Sequence, residues 1–158
     1  WASCIESVDT LGLAVRLAAS GFDVVIGSRS KYRALEVRDR LVDKWADRSL
    51  SLGAGDNETA AGSDIVVVAT PWDAAAATAH EVAPQLKGKV VISMANALAK
   101  VGHEFQPLVP PRGSVAASVQ AAVPGSLVGY PRGPPAPPAM LRIDETSVRT
   151  GWIPPDES

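Results

Sequence analysis

The chain has 158 residues, 46% of them hydrophobic, and a net charge of -2 from 15 basic and 17 acidic side chains spread along its length. That is enough apolar material for one core, and it leaves no basic face of the kind that neutralises a phosphate backbone, so nucleic acid is excluded as a partner. One cysteine, Cys4, excludes an intrachain disulfide, and the two histidines, His80 and His103, stand in no cluster with metal-ligand spacing. With no apolar run near the roughly 18 to 20 residues that cross a bilayer, and no signal-like start, a reduced cytoplasmic protein without a metal or membrane partner is expected. Trp1 in place of an initiating methionine implies a processed, trimmed or partial sequence.

In chain order, Trp1–Thr10 shows neither a clean strand nor a glycine turn, and Trp1 to Val8 is expected to pair poorly. Leu13 and Leu17 stand four apart before Gly21, which predicts a helix over 11–20 ended by a left-handed glycine. Asp23-Val24-Val25-Ile26-Gly27 is short and β-branched and reads as a parallel strand covered on both faces. Lys31 to Lys44 is amphipathic, with Leu35, Val37, Leu41 and Val42 as its apolar face. Ser49 to Leu52 is a weak strand, and Asp56 or Asn57 can cap a short helix. Asp64 to Ala69 is the strongest strand of the chain and belongs near the sheet centre. Thr70-Pro71-Trp72-Asp73 opens an alanine-rich helix to about Ala83, which Pro84 interrupts, and Lys89 to Met94 is another buried strand. A proline-bearing loop from Gly102 to Gly113 precedes a helix capped by Ser114, with Val115, Val119 and Ala122 on one face, and a short strand follows at Ser126-Leu127-Val128.

Strands alternating with helices define an α/β fold, a Rossmann-type parallel sheet with helices on both faces whose first strand and glycine-rich turn are degraded or missing. Beyond Tyr130 the composition changes, since seven of the 13 prolines fall between Pro131 and Pro155. The expected organisation is an atypical segment 1–10, an incomplete dinucleotide-binding domain 11–129, and a proline-rich, disordered tail 130–158.

Ligands of open α/β sheets bind beyond the carboxyl ends of the strands, so the residues following each strand carry the chemistry. After Val24–Ile26 come Gly27-Ser28-Arg29-Ser30-Lys31, where an NAD-binding domain places an acid for the ribose 2'-hydroxyl. Hydroxyls and a guanidinium here suit a 2'-phosphate instead, which makes NADP the implied cofactor. Ser28 and Ser30 acting only as helix caps is the competing reading. After Ile65–Ala69, Thr70-Pro71 can line the path of the pyrophosphate and nicotinamide ribose, or simply start a helix. After Val90–Met94, Asn96 and Ala97 stand where a nicotinamide ring comes close, with Asn96 as a turn former the alternative. Neither histidine qualifies as catalytic, and no catalytic residue is nominated.

Taken together, Leu11-Gly12-Leu13-Ala14-Val15-Arg16-Leu17-Ala18, Val25-Ile26-Gly27-Ser28-Arg29, Ala69-Thr70-Pro71-Trp72 and Ser93-Met94-Ala95-Asn96-Ala97-Leu98 resemble NADPH-dependent reductases of the deazaflavin coenzyme F420 over roughly 11–128. The resemblance implies that Ser28 and Arg29 hold the 2'-phosphate, that Thr70 and Pro71 lie along the dinucleotide, and that Asn96 and Ala97 lie near the nicotinamide. It also implies coenzyme F420 as co-substrate and a homodimer in complete relatives. Of the family's glycine-rich turn only the last glycine, Gly12, is kept, and Asp9 and Thr10 occupy places of small residues. The family-like pattern stops at both ends, so a shifted reading frame or a partial gene is expected. Two alternatives stay open: a related NADP-dependent reductase of the pyrroline-5-carboxylate type, and an inactive fragment that binds NADP weakly or not at all.

Overall fold

The computed structural model describes residues 2–4, 8–101 and 103–130. Strands β1 (Ala2–Cys4), β2 (Val24–Ser28), β3 (Leu52–Asp56), β4 (Ile65–Val68), β5 (Val90–Ser93) and β8 (Leu127–Gly129) form one sheet in the order β3-β2-β1-β4-β5-β8. Every neighbouring pair in it is parallel. Strands β6 (Leu98–Val101) and β7 (Glu104–Pro107) make a separate antiparallel hairpin.

Helices cover both faces. α1 (Val8–Ala19) and α2 (Lys31–Lys44) pack Val15, Leu17, Val37 and Leu41 over Val24 and Ile26 of β2. α3 (Asn57–Ala61), α4 (Ala75–Glu81), α5 (Ala83–Leu86) and α6 (Val115–Ala122) bury Ala60, Ala79, Leu86 and Val119 against Val66, Val68 and Val91, with Val25 joining them from β2. The continuous apolar strands read from the sequence are thus apolar because both sides are covered.

Local chemistry sets the element ends. Gly21, at φ 88°, terminates α1 as its position predicts. The Asp56 and Ser114 side chains cap α3 and α6 by accepting from the backbone N–H of Thr59 and Ala117. The Lys31–Lys44 helix has its predicted bounds, but its buried stripe is Ala34, Val37 and Leu41, while Val42 is exposed. Three residues apart then four places those side chains on one side, and Val42 falls a helical step beyond it.

Four expectations are corrected. The first strand is present: Ala2–Cys4 pairs with β2 on one side and β4 on the other, Ala2 opposite Val25 and Val66. A ladder is made by backbone groups, so two flanking apolar strands hold a third that lacks β-branched residues. The first helix starts at Val8, so a boundary at residue 10 falls inside it. The weak strand lies at Leu52–Asp56 rather than Ser49–Leu52, and the region read as a loop from Gly102 contains β7, the second strand of a hairpin. Asp9, Thr10 and Gly12, read as the remnant of the glycine-rich turn, lie inside α1; residues 5–7 and all of the tail 130–158 except Tyr130 lie outside the described residues.

Two glycines let α3 sit close to the sheet. A Cβ on Gly27 would come within 2.6 Å of the Ala60 Cβ, and one on Gly55 within 2.7 Å of the Thr59 Cβ. The Ala60 methyl cannot rotate away, so Gly27→Ala is expected to destabilise the fold by about 1–3 kcal/mol, the usual cost of overpacking. Urea unfolding measures this, and adding Ala60→Gly should recover part of the loss. An unchanged midpoint in Gly27→Ala would show that α3 moves freely.

Candidate dinucleotide site

Strand order reverses at β1, whose neighbours β2 and β4 lead to opposite halves of the sheet. In such sheets the crevice at the carboxyl ends, at the point of reversal, receives the ligand. Ser28 ends β2, Thr70 lies two residues past β4, and Asn96 and Ala97 lie in the segment after β5. These residues therefore share the carboxyl edge, from β2 across β1 and β4 to β5, three inter-strand steps of about 4.8 Å each.

On the β2 side, Ser30 is the N-cap residue of α2 in extended backbone, and its side chain makes no cap hydrogen bond. The Ser28 hydroxyl oxygen accepts from the Ser30 N–H at a long 3.4 Å. Helix capping accordingly does not account for this Ser-Arg-Ser run. The first turn of α2 has no acidic residue, and Arg29, Lys31 and Arg33 stand in or beside it. Positive side chains at the positive end of a helix dipole repel it, whereas an anion there is stabilised by dipole and cations together.

One carboxylate does come close. The register pairs Ser28 with Asp56, which sequence reading alone could not place. Its charge is already engaged: Asp56 Oδ1 accepts from the Thr59 N–H at 2.8 Å and the Thr59 hydroxyl at 2.6 Å. Those Thr59 bonds, with Lys31 nearby, hold the Asp56 carboxyl below its ordinary value of 3.8. Asp56 Oδ1 thus serves as the cap of α3.

Past β4, Thr70 Oγ1 is buried and finds no hydrogen-bond partner within the protein; Ser93 Oγ, at the end of β5, shares that condition. A buried hydroxyl left unmated costs on the order of 1–3 kcal/mol, so two on one sheet edge mark places where a polar ligand or ordered water completes the bonding. Pro71 and Asn96 are exposed and Ala97 half-buried. The Ala97 carbonyl accepts from Leu108 N–H at 2.8 Å, which ties the segment after β5 to the end of the hairpin. Gly12 sits in the second turn of α1, exposed, with nothing within 4 Å of where a Cβ would be. No close approach in the described residues requires glycine there. His80 is exposed with Nδ1 3.3 Å from the Ala122 carbonyl, and His103 lies in the hairpin turn. Among the described residues there is no metal-binding cluster and no helix long and apolar enough to cross a membrane.

A six-stranded parallel sheet in this order, with helices on both faces and the strand order reversing at β1, defines a Rossmann-type fold. Residues 11–97, more than half of the chain, match the family model described as "NADP oxidoreductase coenzyme F420-dependent", and the chain belongs to that family. It is 33% identical over 114 residues to the F420-dependent NADP reductase of Methanocaldococcus jannaschii, covering 69% of this chain and 51% of the relative. It is 34% identical over 83 residues to that of Methanothermobacter thermautotrophicus, covering 52% and 36%. The chain thus spans about half, or less, of the length of these curated relatives. Among solved structures, an Arthrobacter sp. FB24 protein superposes with a TM-score of 0.65 at 22% identity, over 82% of this chain and 60% of that one. Synechocystis arogenate dehydrogenase superposes at 0.55 and 17%, over 85% and 42%. Both likenesses concern the fold.

The Asp56 cap gives a pH test. A lowered folded value means that this contribution is present above the ordinary 3.8 and lost as pH falls through the lowered value. Wild type should therefore be more stable than Asp56→Ala at neutral pH, the gap closing only in strong acid. Thermal unfolding from pH 7 down to pH 3 measures it; a constant gap would show that the carboxylate charge is irrelevant to the cap.

Proposed function

We propose that this chain binds NADP(H) across the carboxyl edge of its sheet and serves as the nicotinamide-nucleotide half of a reductase that moves a hydride between NADP(H) and the deazaflavin coenzyme F420. The observation that carries the reading is the uncapped start of α2, with Arg29, Lys31 and Arg33 and no acid in its first turn. A 2'-phosphate neutralises that cluster, with Ser28 and Arg29 donating to it. Thr70 and Pro71 then lie along the dinucleotide, and Asn96 and Ala97 beside its nicotinamide. NADPH supplies the hydride; the chain's own residues bind and orient, which is the usual division of labour with such a cofactor. Membership of the F420-dependent family favours a deazaflavin acceptor over an imine of the pyrroline-carboxylate kind. A homodimer in the cytoplasm belongs to the same proposal.

Arg29→Ala should weaken NADPH binding roughly ten- to a hundred-fold, the worth of a charge-assisted hydrogen bond, and leave NADH almost unchanged. Fluorescence titration of wild type and variant with both cofactors measures this. Equal affinities for NADH and NADPH in wild type would reduce the Ser-Arg-Ser run to a helix start. Adding oxidised F420 to the NADPH-loaded chain and following loss of the deazaflavin's absorbance then separates an active half from an inert one.

A further inference from the structure

The reading above gives the adenosine end its groups and leaves the second half of the cofactor mostly to exposed or apolar residues. Ser93 differs from them. It is the last residue of β5, its relative exposure is 3%, and its hydroxyl has no partner within the protein. The register sets it opposite Val68, and the Met94 N–H donates to the Val68 carbonyl at 3.0 Å, so the ends of β4 and β5 are locked side by side. Thr70, the other unmated hydroxyl of this edge, follows Val68 by two residues. Both hydroxyls are followed by backbone outside helix and strand, 71–74 and 94–97. The other unmated buried side-chain group among the described residues, Gln85 Oε1, lies in α5, away from the carboxyl edge.

We propose that Ser93 is a binding residue for the ribosyl-nicotinamide half of the dinucleotide: its buried hydroxyl at the end of β5, paired with that of Thr70, takes its hydrogen bond from the ligand rather than from the fold. The inference rests on the NADP reading. It adds that the second half is held by two strand-end hydroxyls, one of them inside an apolar run. Removing an unmated buried hydroxyl relieves the fold of an unsatisfied group, whereas removing a structural one harms it. The two roles therefore move ligand-free stability in opposite directions.

The test uses the whole chain, with Ser93→Ala against wild type, and two probes: NADPH, and adenosine 2',5'-bisphosphate, which lacks the ribosyl-nicotinamide half. Ser93→Ala should bind the bisphosphate as wild type does, bind NADPH roughly three- to ten-fold more weakly, and melt at the same or a higher temperature without ligand. Unchanged NADPH affinity beside intact bisphosphate binding overturns the assignment while sparing the 2'-phosphate site. A marked fall in the ligand-free melting temperature also overturns it, because the hydroxyl then serves the fold. Wild type that binds NADPH but not the bisphosphate faults the 2'-phosphate reading itself; wild type that binds neither overturns both.

Discussion

Everything at the candidate site depends on three residues at the start of the chain. Ala2–Cys4 supplies the ladder between β2 and β4, and without it the sheet is two separate pieces, β3-β2 and β4-β5-β8. Backbone hydrogen bonds are individually modest, about 1 kcal/mol net, but these decide geometry: they bring the cationic start of α2 and the hydroxyls of Thr70 and Ser93 onto one edge. The reversal of strand order that makes a crevice is the same fact seen from the ligand's side.

What was legible in the sequence is what side chains encode. Val66, Val67 and Val68 are buried on both faces and announce a central strand; α2 is bounded as its amphipathic pattern says; Asp56 and Ser114 cap the helices they precede. What backbone or tertiary context decides was not legible. β1 is Ala-Ser-Cys, with no strand-forming bias of its own, and β3 is Leu-Gly-Ala-Gly-Asp, whose glycines weaken a strand signal. Gly55 is there because Thr59 leaves no room for a Cβ, a contact visible only in three dimensions. The hairpin of β6 and β7 is exposed almost throughout, so its sequence carries no alternation of buried and solvated positions.

The site shows the same division. Ser28 ends a strand and Arg29, Thr70 and Asn96 follow strands, and residues at such positions can be named from a one-dimensional pattern. Asp56 beside Ser28 needs the parallel register of β2 and β3. Ser93 hides inside Val-Val-Ile-Ser; the signal that could have found it is a hydroxyl at the end of an apolar run, where an unpaired polar group is costly.

The register that joins Ala2 to Val66 also dictates an order of events. When the chain leaves the ribosome, its first strand has to wait until β2, α2, β3 and α3 have been made before β4 arrives. Non-local pairing of this kind pays loop-closure entropy before any contact returns it, which slows folding. Until then the β4-facing side of Ala2–Cys4 is an open template for other strands. The piece of chain that unites the two halves of the sheet is therefore made before β4 and secured only once β4 follows, and chaperone demand or premature strand pairing during synthesis should centre on Ala2–Cys4.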